Sequence, residues 1–320
     1  MEHKQLSYEE AKETLTNIGQ GKYNQSQIAA FLTVYLMRSI SLNELAGFRD
    51  ALLDLCVKVD LSDYNTIDLC GTGGDGKDTF NISTLSSFVV AGAGYKVAKH
   101  GNYGVSSGCG SSNVLEYLGY QFTNDQVKLR KSIEKAGICF LHAPLFHPAM
   151  KNVGPTRREL QTKTFFNILG PMVNPSFPKN QIVGVFNLEV ARLYAYLYQQ
   201  STANFSIIHA LDGYDEISLT GNFKVITNDK DEIMSPESIG FQKITPELIK
   251  SGGSIEEAAK IFTNILERKG TEAQNSVVLA NSALAIHTIS QNENMEDSVE
   301  EAKSSLFGGK ALQALKNLIN

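Results

Sequence analysis

Residues 66–84 combine a strand-like segment, a glycine-rich loop and the beginning of an apolar helix, and this order restricts the fold more than any other feature of the chain. The segment Thr66–Cys70 is followed by GTGGD at residues 71–75, and NIST at residues 81–84 begins the helix. Glycines let backbone N–H groups turn toward an anion, and a helix amino terminus adds unpaired donors. The pattern predicts a phosphate site, although an isolated GTGG can also be a tight strand-to-helix turn.

Strand-like and helix-like segments alternate from residue 65 onward. The strand-like segments are Thr66–Cys70, Lys96–Lys99, Ile138–Leu141, Gln181–Val185, Phe205–Ala210 and Phe223–Thr227. Helices are expected at Ile82–Gly94, Ser112–Leu118, Asp125–Ala136, Leu188–Gln200, Ile255–Glu267, Glu272–Ile289, Val299–Leu306 and Lys310–Ile319. This order predicts an α/β fold with a mostly parallel central sheet flanked by helices. In such sheets ligands bind beyond the carboxyl ends of the strands, where Gly71 and Lys99 lie.

The chain is expected to have two parts. Residues 1–60 carry the signals of three helices, with capping-box patterns at Ser7 and Ser41 and a capping residue at Asn24. We therefore predict a small N-terminal helical domain over residues 1–62 and an α/β domain over residues 63–320. Six of the eight prolines fall within residues 142–180. Short helices and turns are expected there, and part of residues 155–178 is expected to pack onto the helical domain.

Composition and charge exclude several classes of protein. The net charge is -5 and the pI is about 5.7, so a role in binding nucleic acid has no overall electrostatic support. No apolar run approaches the roughly 20 residues of a membrane-spanning helix, and the amino terminus does not resemble a signal peptide. The four cysteines form no CxxC pair, which predicts reduced thiols in a cytoplasmic protein and makes a zinc site improbable.

Two further clusters follow predicted strands. KHGN at residues 99–102 precedes a loop that contains Ser106, Ser107, Gly108 and the GSS of residues 110–112. A lysine, several hydroxyls and several glycines can close over a polyphosphate, although a solvated surface loop has the same composition. Asp215-Glu216 comes shortly after the strand Phe205–Ala210, and paired carboxylates at a strand end are natural Mg²⁺ ligands, although an acidic turn is the plainer reading. Asp75 would repel a phosphate and better suits a ribose hydroxyl, a water or a metal ion.

Two more clusters lie in the proline-rich segment. HPAMKN at residues 147–152 is followed by Arg157, whose guanidinium is suited to pairing with a carboxylate, although a surface ion pair is the commoner role of an arginine. FFNILGP at residues 165–171 has aromatic residues that are expected in the core. Gly170-Pro171 could form the wall of a pocket.

These motifs, in this order, resemble the anthranilate phosphoribosyltransferases. The resemblance rests on GTGGD at 71–75, NIST at 81–84, KHGN at 99–102, GSS at 110–112, HPAMKNV at 147–153, Arg157, FNILGPMVNP at 166–175 and the acidic pair at 215–216. It implies the fold shared with class II nucleoside phosphorylases. It also implies the second step of tryptophan synthesis from chorismate, in which anthranilate and phosphoribosyl pyrophosphate give N-(5-phosphoribosyl)anthranilate and pyrophosphate.

The resemblance also implies ligands and residues. Phosphoribosyl pyrophosphate would be held by Gly71, Gly74, Asp75, Thr79, Asn81, Ser83, Thr84, Lys99 and Ser111. Anthranilate would be bound by Gly71, Asn102, His147, Arg157, Gly170 and Pro171, and the cofactor Mg²⁺ by Ser83, Asp215 and Glu216. No acid or base is assigned, because the amine of anthranilate is largely unprotonated near neutral pH. Lys99 and Mg²⁺ would stabilise the transition state. A homodimer through the N-terminal helices is implied, and neither nucleic acid nor a membrane is expected as a partner.

The closing loop departs from the family pattern. Tyr103 stands where the family usually has an arginine, Gly108-Cys109 where a lysine or similar residue is common, and Asn113 where an aspartate is common. These differences concern the contacts of the loop and not the class of reaction. A pyrimidine nucleoside phosphorylase and a non-catalytic relative that binds nucleic acid are the alternatives. KHGN, HPAMKNV and the acidic pair favour the transferase over the phosphorylase, and the acidic pI disfavours the nucleic-acid-binding relative.

Overall fold

A seven-stranded sheet crosses the larger part of the molecule in the computed structural model, which describes residues 4–104, 109–291 and 294–320. The strands are β1 (Thr66–Gly71), β2 (Lys96–Gly101), β3 (Ile138–His142), β4 (Asn180–Gly184), β5 (Asn204–Ala210), β6 (Phe223–Thr227) and β7 (Asp231–Met234). Their order is β3-β2-β1-β4-β5-β6-β7. Strands β1 to β5 are parallel, whereas β6 and β7 are antiparallel.

The structure confirms the mostly parallel sheet and the six strands that the sequence predicts, with boundaries that differ by at most two residues. Strand β7 was not predicted. Its first three residues are exposed and Asp231 and Glu232 are charged, so it lacks the apolar alternation by which strands are recognised. Charged side chains are typical of an edge strand, where they hinder pairing with another sheet.

The helices occupy both faces of the sheet and the amino-terminal region. They are α1 (Tyr8–Gly19), α2 (Gln25–Met37), α3 (Leu42–Leu55), α4 (Ile82–Gly92), α5 (Ser111–Tyr117), α6 (Gln126–Ala136), α7 (Ala143–Phe146), α8 (Gly154–Leu160), α9 (Phe166–Leu169), α10 (Leu188–Tyr198), α11 (Ile255–Leu266), α12 (Glu272–Ser290), α13 (Met295–Phe307) and α14 (Lys310–Ile319). Short 3₁₀ turns lie at Pro148–Asn152, Gly170–Val173, Glu237–Ile239 and Pro246–Ile249. None of the helices in the described ranges has the length and apolar character that a membrane crossing needs.

Side chains on alternate faces of the sheet belong to two different cores, because successive residues of a strand point to opposite sides. Ile182 of β4 packs in one core with α4, α12 and α14. Val183, the next residue, packs in the other core with α1, α3 and α10. Segment 165–173 belongs to this second core, and the ring of Phe165 stacks on that of Phe48 in α3 with 4.7 Å between centroids. The proline-rich segment thus packs between the amino-terminal helices and the sheet.

Glu44 fixes the amino-terminal helices to each other. Its side chain is fully buried, and it accepts hydrogen bonds from Leu6 N (3.0 Å), Tyr35 Oη (3.0 Å) and Arg38 Nη2 (2.5 Å). It also closes the capping box of α3 by accepting from Ser41 N at 2.9 Å. Burial alone would raise the pKa of Glu44, but the bonds from Arg38 and from the Leu6 and Ser41 amides lower it to about 2. Glu44 is therefore a buried anion with a complete set of donors.

A Glu44→Gln variant tests this buried anion. We expect it to lose roughly 3 kcal/mol of unfolding free energy at pH 7, because it leaves Arg38 without its partner. The folded-state pKa of Glu44 is depressed, so its stabilisation is present above about pH 4.5 and is lost as the pH falls toward 2. The difference from wild type in urea unfolding should therefore shrink between pH 7 and pH 3. Glu10→Gln changes the equivalent but exposed capping-box residue of α1 and is the control; a pH-independent deficit of Glu44→Gln would contradict the account.

Candidate active site

A cavity of about 560 Å³ opens at the carboxyl ends of β1 and β2, which is the edge that the fold predicts for a ligand. Five parts of the chain line it: the glycine loop with the start of α4, the end of β2 with its following loop, Ala143 at the start of α7, segment 157–171, and the turn after β5. The sequence-predicted residues that line this cavity are Gly71, Gly74, Asp75, Thr79, Asn81, Ser83, Thr84, Lys99, Asn102, Ser111, Arg157, Gly170, Pro171, Asp215 and Glu216.

The glycine loop turns sharply after β1. Gly73 and Gly74 have φ angles of +63° and +78°, in the left-handed region that glycine adopts without strain. The amide of Gly73 donates to Asp215 Oδ2 at 2.7 Å, and the Lys163 ammonium donates to the carbonyl of Gly74. The loop is therefore held on one side by the turn after β5 and on the other by the segment before α9.

The amino terminus of α4 faces the cavity. The side chain of Asn81 occupies the position of a helix cap, but it donates to the carbonyl of Cys109 at 3.1 Å instead of accepting from the helix. Ser83 and Thr84 lie in the first turn that follows. Backbone donors at such a terminus, together with the positive end of the helix dipole, attract an anion.

Carboxylates crowd the turn after β5. If Gly184 had a Cβ atom, that atom would lie 1.4 Å from the backbone oxygen of Asp215. The turn therefore contacts the end of β4 directly. Glu216 is buried and accepts from Thr79 Oγ1 at 2.5 Å. Burial and the neighbouring charge of Asp75 raise the pKa of Asp215, and burial with the charge of Asp215 raises the pKa of Glu216. Asp75 Oδ2 is itself buried and lacks a hydrogen-bond partner among the described residues.

The carboxylates of this turn offer oxygen atoms that could bind a metal ion, but they do not form a complete metal site. Within the part of the chain that the structure describes, no group of three or more His, Cys, Asp or Glu side chains could hold an ion. Mg²⁺ usually binds through one or two carboxylates with waters and substrate phosphates. The residues present therefore fit an ion whose remaining ligands come with a phosphorylated substrate.

Lys99 is almost completely buried at the end of β2. Only 2% of it is exposed, and its Nζ donates to the carbonyl of Leu69 at 2.5 Å. Burial lowers the pKa of the Lys99 ammonium, and the nearby Asp68 carboxylate opposes that effect. A lysine in this position presents a charge to the cavity from a fixed place, since its side chain is enclosed by protein.

Arg157 presents the second cation of the cavity lining. Its Nη2 lies 3.4 Å from Asn167 Oδ1, a long hydrogen bond, and its guanidinium carbon lies 5.2 Å from the centroid of the Phe166 ring. Burial lowers the pKa of Arg157, although an arginine stays charged at neutral pH. Among the described residues no carboxylate pairs with it, which leaves its fork of donors for an anionic group. Asn167 and Phe166 were not among the predicted site residues.

His147 does not line the cavity, in contrast to the place that the sequence suggested for it. Its ring lies behind that of His100, with 5.3 Å between the centroids, and His100 forms the cavity wall. Burial, and then the neighbouring His147, lowers the pKa of His100, and burial lowers the pKa of His147 to about 4. Both rings are therefore neutral near pH 7. KHGN was recognised as a motif, but nothing in the sequence distinguished the positions of the two histidines.

The loop after β2 is closed at its base by Asn113 of α5. Its Oδ1 accepts from Gly104 N at 3.0 Å and from Gly110 N at 2.9 Å. Tyr103 lines the cavity, and its hydroxyl donates to Glu116 at 3.1 Å. The predicted residues Ser106, Ser107 and Gly108 lie outside the residues that the structure describes.

Comparison with known proteins agrees with this geometry. A family model described as the a/b domain of a glycosyl transferase family matches residues 63–312, and one described as its helical bundle domain matches residues 1–56. An anthranilate phosphoribosyltransferase of Flavobacterium johnsoniae is 65% identical over 316 residues, which are 99% of this chain and 96% of that relative. The chain belongs to the anthranilate phosphoribosyltransferase family. A relative of the same name from Bacteroides fragilis is 52% identical over 318 residues, 99% of this chain and 96% of its own length.

Solved structures of this family have the same fold. The enzyme from Thermus thermophilus superposes with a TM-score of 0.92 at 30% identity, over 99% of this chain and 95% of that chain. The enzyme from Saccharomyces cerevisiae, solved in complex with PRPP and Mg, gives 0.90 at 27% identity, over 98% and 93% of the two chains. The comparisons confirm the helical domain, the α/β domain and the transferase function, and they decide against the phosphorylase and the nucleic-acid-binding relative.

Gly184→Ala tests the contact between β4 and the turn after β5. The added methyl would meet a backbone oxygen, which cannot move aside as a flexible side chain can, so we expect the variant to lose about 1–3 kcal/mol of unfolding free energy or more. Gly154→Ala is the control, because its nearest neighbour would be the end of Arg158 at 3.5 Å. Urea unfolding measures both variants. Equal stability of the two would contradict the close packing of the turn.

Proposed function

We propose that the chain joins anthranilate to carbon 1 of the ribose of phosphoribosyl pyrophosphate (PRPP) and releases pyrophosphate. The observation that carries the proposal is one cavity with two kinds of anion site. A glycine loop and a helix terminus lie at one side, and at the other lies the partly buried Arg157, for which the described residues provide no carboxylate partner. A phosphorylated sugar and an aromatic carboxylate match these two sides.

The glycine loop and the start of α4 are proposed to bind PRPP. The amides near Gly71 and Gly74 and the terminus at Asn81, Ser83 and Thr84 supply donors for phosphate oxygens. Thr79 and Ser111 add hydroxyl groups, and Asp75 suits the ribose hydroxyls. Lys99 lies where it can stabilise negative charge that develops on the leaving pyrophosphate, in a place from which water is largely excluded.

The acidic turn is proposed to hold Mg²⁺ together with the phosphates of PRPP. Asp215 and Glu216 provide carboxylate oxygens, the buried oxygen of Asp75 lies beside them, and Ser83 provides a hydroxyl. When bound, Mg²⁺ supplies positive charge that offsets the charge of the pyrophosphate. Without such a cation, the carboxylates would repel the substrate that the glycine loop attracts.

Anthranilate is proposed to enter between Arg157, Asn102 and the Gly170-Pro171 turn, with its carboxylate on Arg157. His147 supports this wall through His100 and does not face the cavity itself. The amine of anthranilate forms the new C1–N bond as the C1–O bond to pyrophosphate breaks, and the proton released by the nitrogen passes to water or to the departing pyrophosphate. Because that amine is unprotonated near neutral pH, the residues need only orient the two substrates and stabilise charge.

Following the fluorescence of anthranilate after addition of PRPP tests the reaction. We expect a loss of the signal and release of pyrophosphate in the presence of Mg²⁺, and neither with excess chelator. Folded protein that leaves the signal unchanged with Mg²⁺ would overturn the proposal. Phosphate with thymidine or uridine serves as the comparison reaction and should give no free base.

The proposed assembly is a homodimer through the amino-terminal helices. Helix α2 is largely apolar, yet only Ile28 and Leu32 of it are buried, and Leu36 and Met37 are 42% and 83% exposed. A second copy of the chain would cover this surface.

Two further proposals concern the domains and the location of the protein. The chain divides into domains between residues 62 and 63. The protein is cytoplasmic, which agrees with its four free cysteines.

Arg157→Ala tests the carboxylate site. We expect the KM for anthranilate to rise roughly tenfold to a hundredfold and the KM for PRPP to change little, because charge-assisted hydrogen bonds to one substrate are lost. Arg158→Ala removes the neighbouring, exposed arginine and is the matched control. A similar rise in both KM values would count against the role of Arg157.

Asp215→Asn combined with Glu216→Gln tests the metal site. We expect the Mg²⁺ concentration for half-maximal turnover to rise at least about tenfold, since two charged ligands become neutral. Asp212→Asn changes an exposed carboxylate of the same turn that lies outside the cavity lining. If the double variant gave the Mg²⁺ titration of wild type, the acidic pair would not bind the metal.

Leu36→Glu with Met37→Glu tests the dimer. Two charges on the exposed face of α2 should shift the mass in sedimentation equilibrium from two chains toward one, because the interface would have to bury them. Val127→Glu, on an exposed position of α6, is the control. A wild-type protein that sediments as one chain would refute the dimer.

A further inference from the structure

A fully buried carboxylate lies in the sheet below the cavity. Asp68, in the middle of β1, has no exposed surface. Its Oδ1 accepts from His100 N at 3.1 Å, and its Oδ2 accepts from Asn174 Nδ2 at 2.9 Å and, at 3.4 Å, from Gln181 Nε2. Every one of these partners donates to Asp68. Burial raises the pKa of the Asp68 carboxyl, whereas the charge of Lys99 on the next strand and the bonds from Asn174 and His100 oppose that effect. These contacts fit an ionised carboxylate, which accepts only.

The amide partners of Asp68 connect it to both sides of the cavity. Asn174 Nδ2 also donates to Ala98 O at 2.9 Å, which ties the end of the 170–173 turn to β2. Gln181 Nε2 also donates to Pro171 O at 2.7 Å, which holds the middle of the same turn. Asp68, Asn174 and Gln181 are together called the polar hub. None of the three is in the described cavity lining, so the polar hub acts only through the residues that it holds.

We propose that Asp68 is a positioning residue for both substrates. Through the amide of His100 it fixes the end of β2 that carries Lys99, and through Asn174 and Gln181 it fixes the turn that carries Gly170 and Pro171. One carboxylate thereby sets the distance between the cation on the PRPP side and the wall on the anthranilate side. The inference rests on the proposed function for the identity of the two substrates.

An asparagine cannot replace this carboxylate. Asp68→Asn keeps the shape of the side chain but leaves one oxygen for three donors and turns an NH₂ group toward at least one of them. It also removes the charge that balances the buried Lys99. A displacement of about 1 Å at a reacting centre can cost on the order of 10²-fold in rate. We therefore expect Asp68→Asn to lose much of its activity, although aspartate and asparagine side chains have nearly the same size.

The kinetic test compares Asp68→Asn with wild type at saturating Mg²⁺. We expect kcat to fall and the KM for anthranilate to rise, with kcat/KM for anthranilate lower by roughly tenfold to a hundredfold. Ser206→Ala is the control, because it removes a buried hydrogen bond to Thr288 at 2.7 Å between β5 and α12, away from the cavity. The proposal would be overturned if Asp68→Asn had a lower melting temperature than wild type but the same kinetic constants as Ser206→Ala, because Asp68 would then contribute only to stability.

Hydrogen exchange provides a readout that does not depend on activity. The His100 amide should exchange faster in Asp68→Asn than in wild type, because the one neutral oxygen that remains for three donors is a weaker acceptor than the carboxylate, and its exchange should be unchanged in Ser206→Ala. Unchanged protection of this amide in Asp68→Asn would contradict its bond to Asp68. If wild type itself failed to turn over anthranilate, the proposed function would fall, while this exchange measurement would still report on the polar hub.

Asn174→Ala distinguishes the two connections of the polar hub, one to the His100 amide and one to the 170–173 turn. It also tests the positioning role if Asp68→Asn does not fold. It breaks the link from Asp68 to the end of the turn, leaves the link through Gln181 to Pro171, and keeps the bond between Asp68 and His100. We expect a KM for anthranilate raised at least about fivefold, a KM for PRPP close to wild type and normal protection of the His100 amide. A folded Asn174→Ala with wild-type KM for anthranilate would refute the positioning of the turn.

Discussion

The contact between the turn after β5 and the ends of β1 and β4 is the constraint on which the site depends. The backbone of Asp215 lies so close to Gly184 that no side chain fits there, and an added Cβ at Gly71 would meet Asp215 Oδ2 at 2.5 Å. Asp215 in return accepts the amide of Gly73 at 2.7 Å. Two glycines at paired positions of neighbouring strands thus bring an acidic turn into contact with a loop built to attract anions.

This contact gives the cavity an unusual balance of charge. Four carboxylates line it, those of Asp75, Asp78, Asp215 and Glu216, against the two cations Lys99 and Arg157. With these four carboxyls ionised, a polyphosphate that entered alone would meet an excess of negative charge. Burial raises the pKa of Asp215 and of Glu216, and the charge of Asp75 adds to the effect on Asp215 as the charge of Asp215 adds to the effect on Glu216, so a nearby cation is needed to favour their charged forms. The geometry therefore favours a phosphorylated substrate that arrives with a divalent cation.

Much of this could be predicted from the sequence, because it depends on local patterns. The glycine loop, the helix that follows it and the five parallel strands have signals within a few residues, and the motif order identified the family. Strand β7 could not be predicted, since an exposed, charged edge strand has no apolar alternation. The order of His100 and His147 relative to the cavity also depends on how two distant segments pack, which no spacing along the chain encodes.

The polar hub is another feature that could not be predicted from the sequence. Asp68 has the position of a buried strand residue, and its partners Asn174 and Gln181 are more than 100 residues away in the chain. Asn167, which lies beside Arg157, belongs to the segment FFNILGP, and the sequence predicts only core residues and a pocket wall for that segment. Long-range hydrogen bonds between buried side chains are specified by the folded topology, so they are visible only in the structure.

Isothermal titration of PRPP into the protein, without anthranilate and with or without Mg²⁺, tests the central claim most directly. The acidic cavity predicts binding with Mg²⁺ and affinity weaker by at least about a hundredfold with chelator, equivalent to about 2.7 kcal/mol. Equal affinity in the two conditions would contradict the account, because it would mean that the four carboxylates do not oppose the substrate.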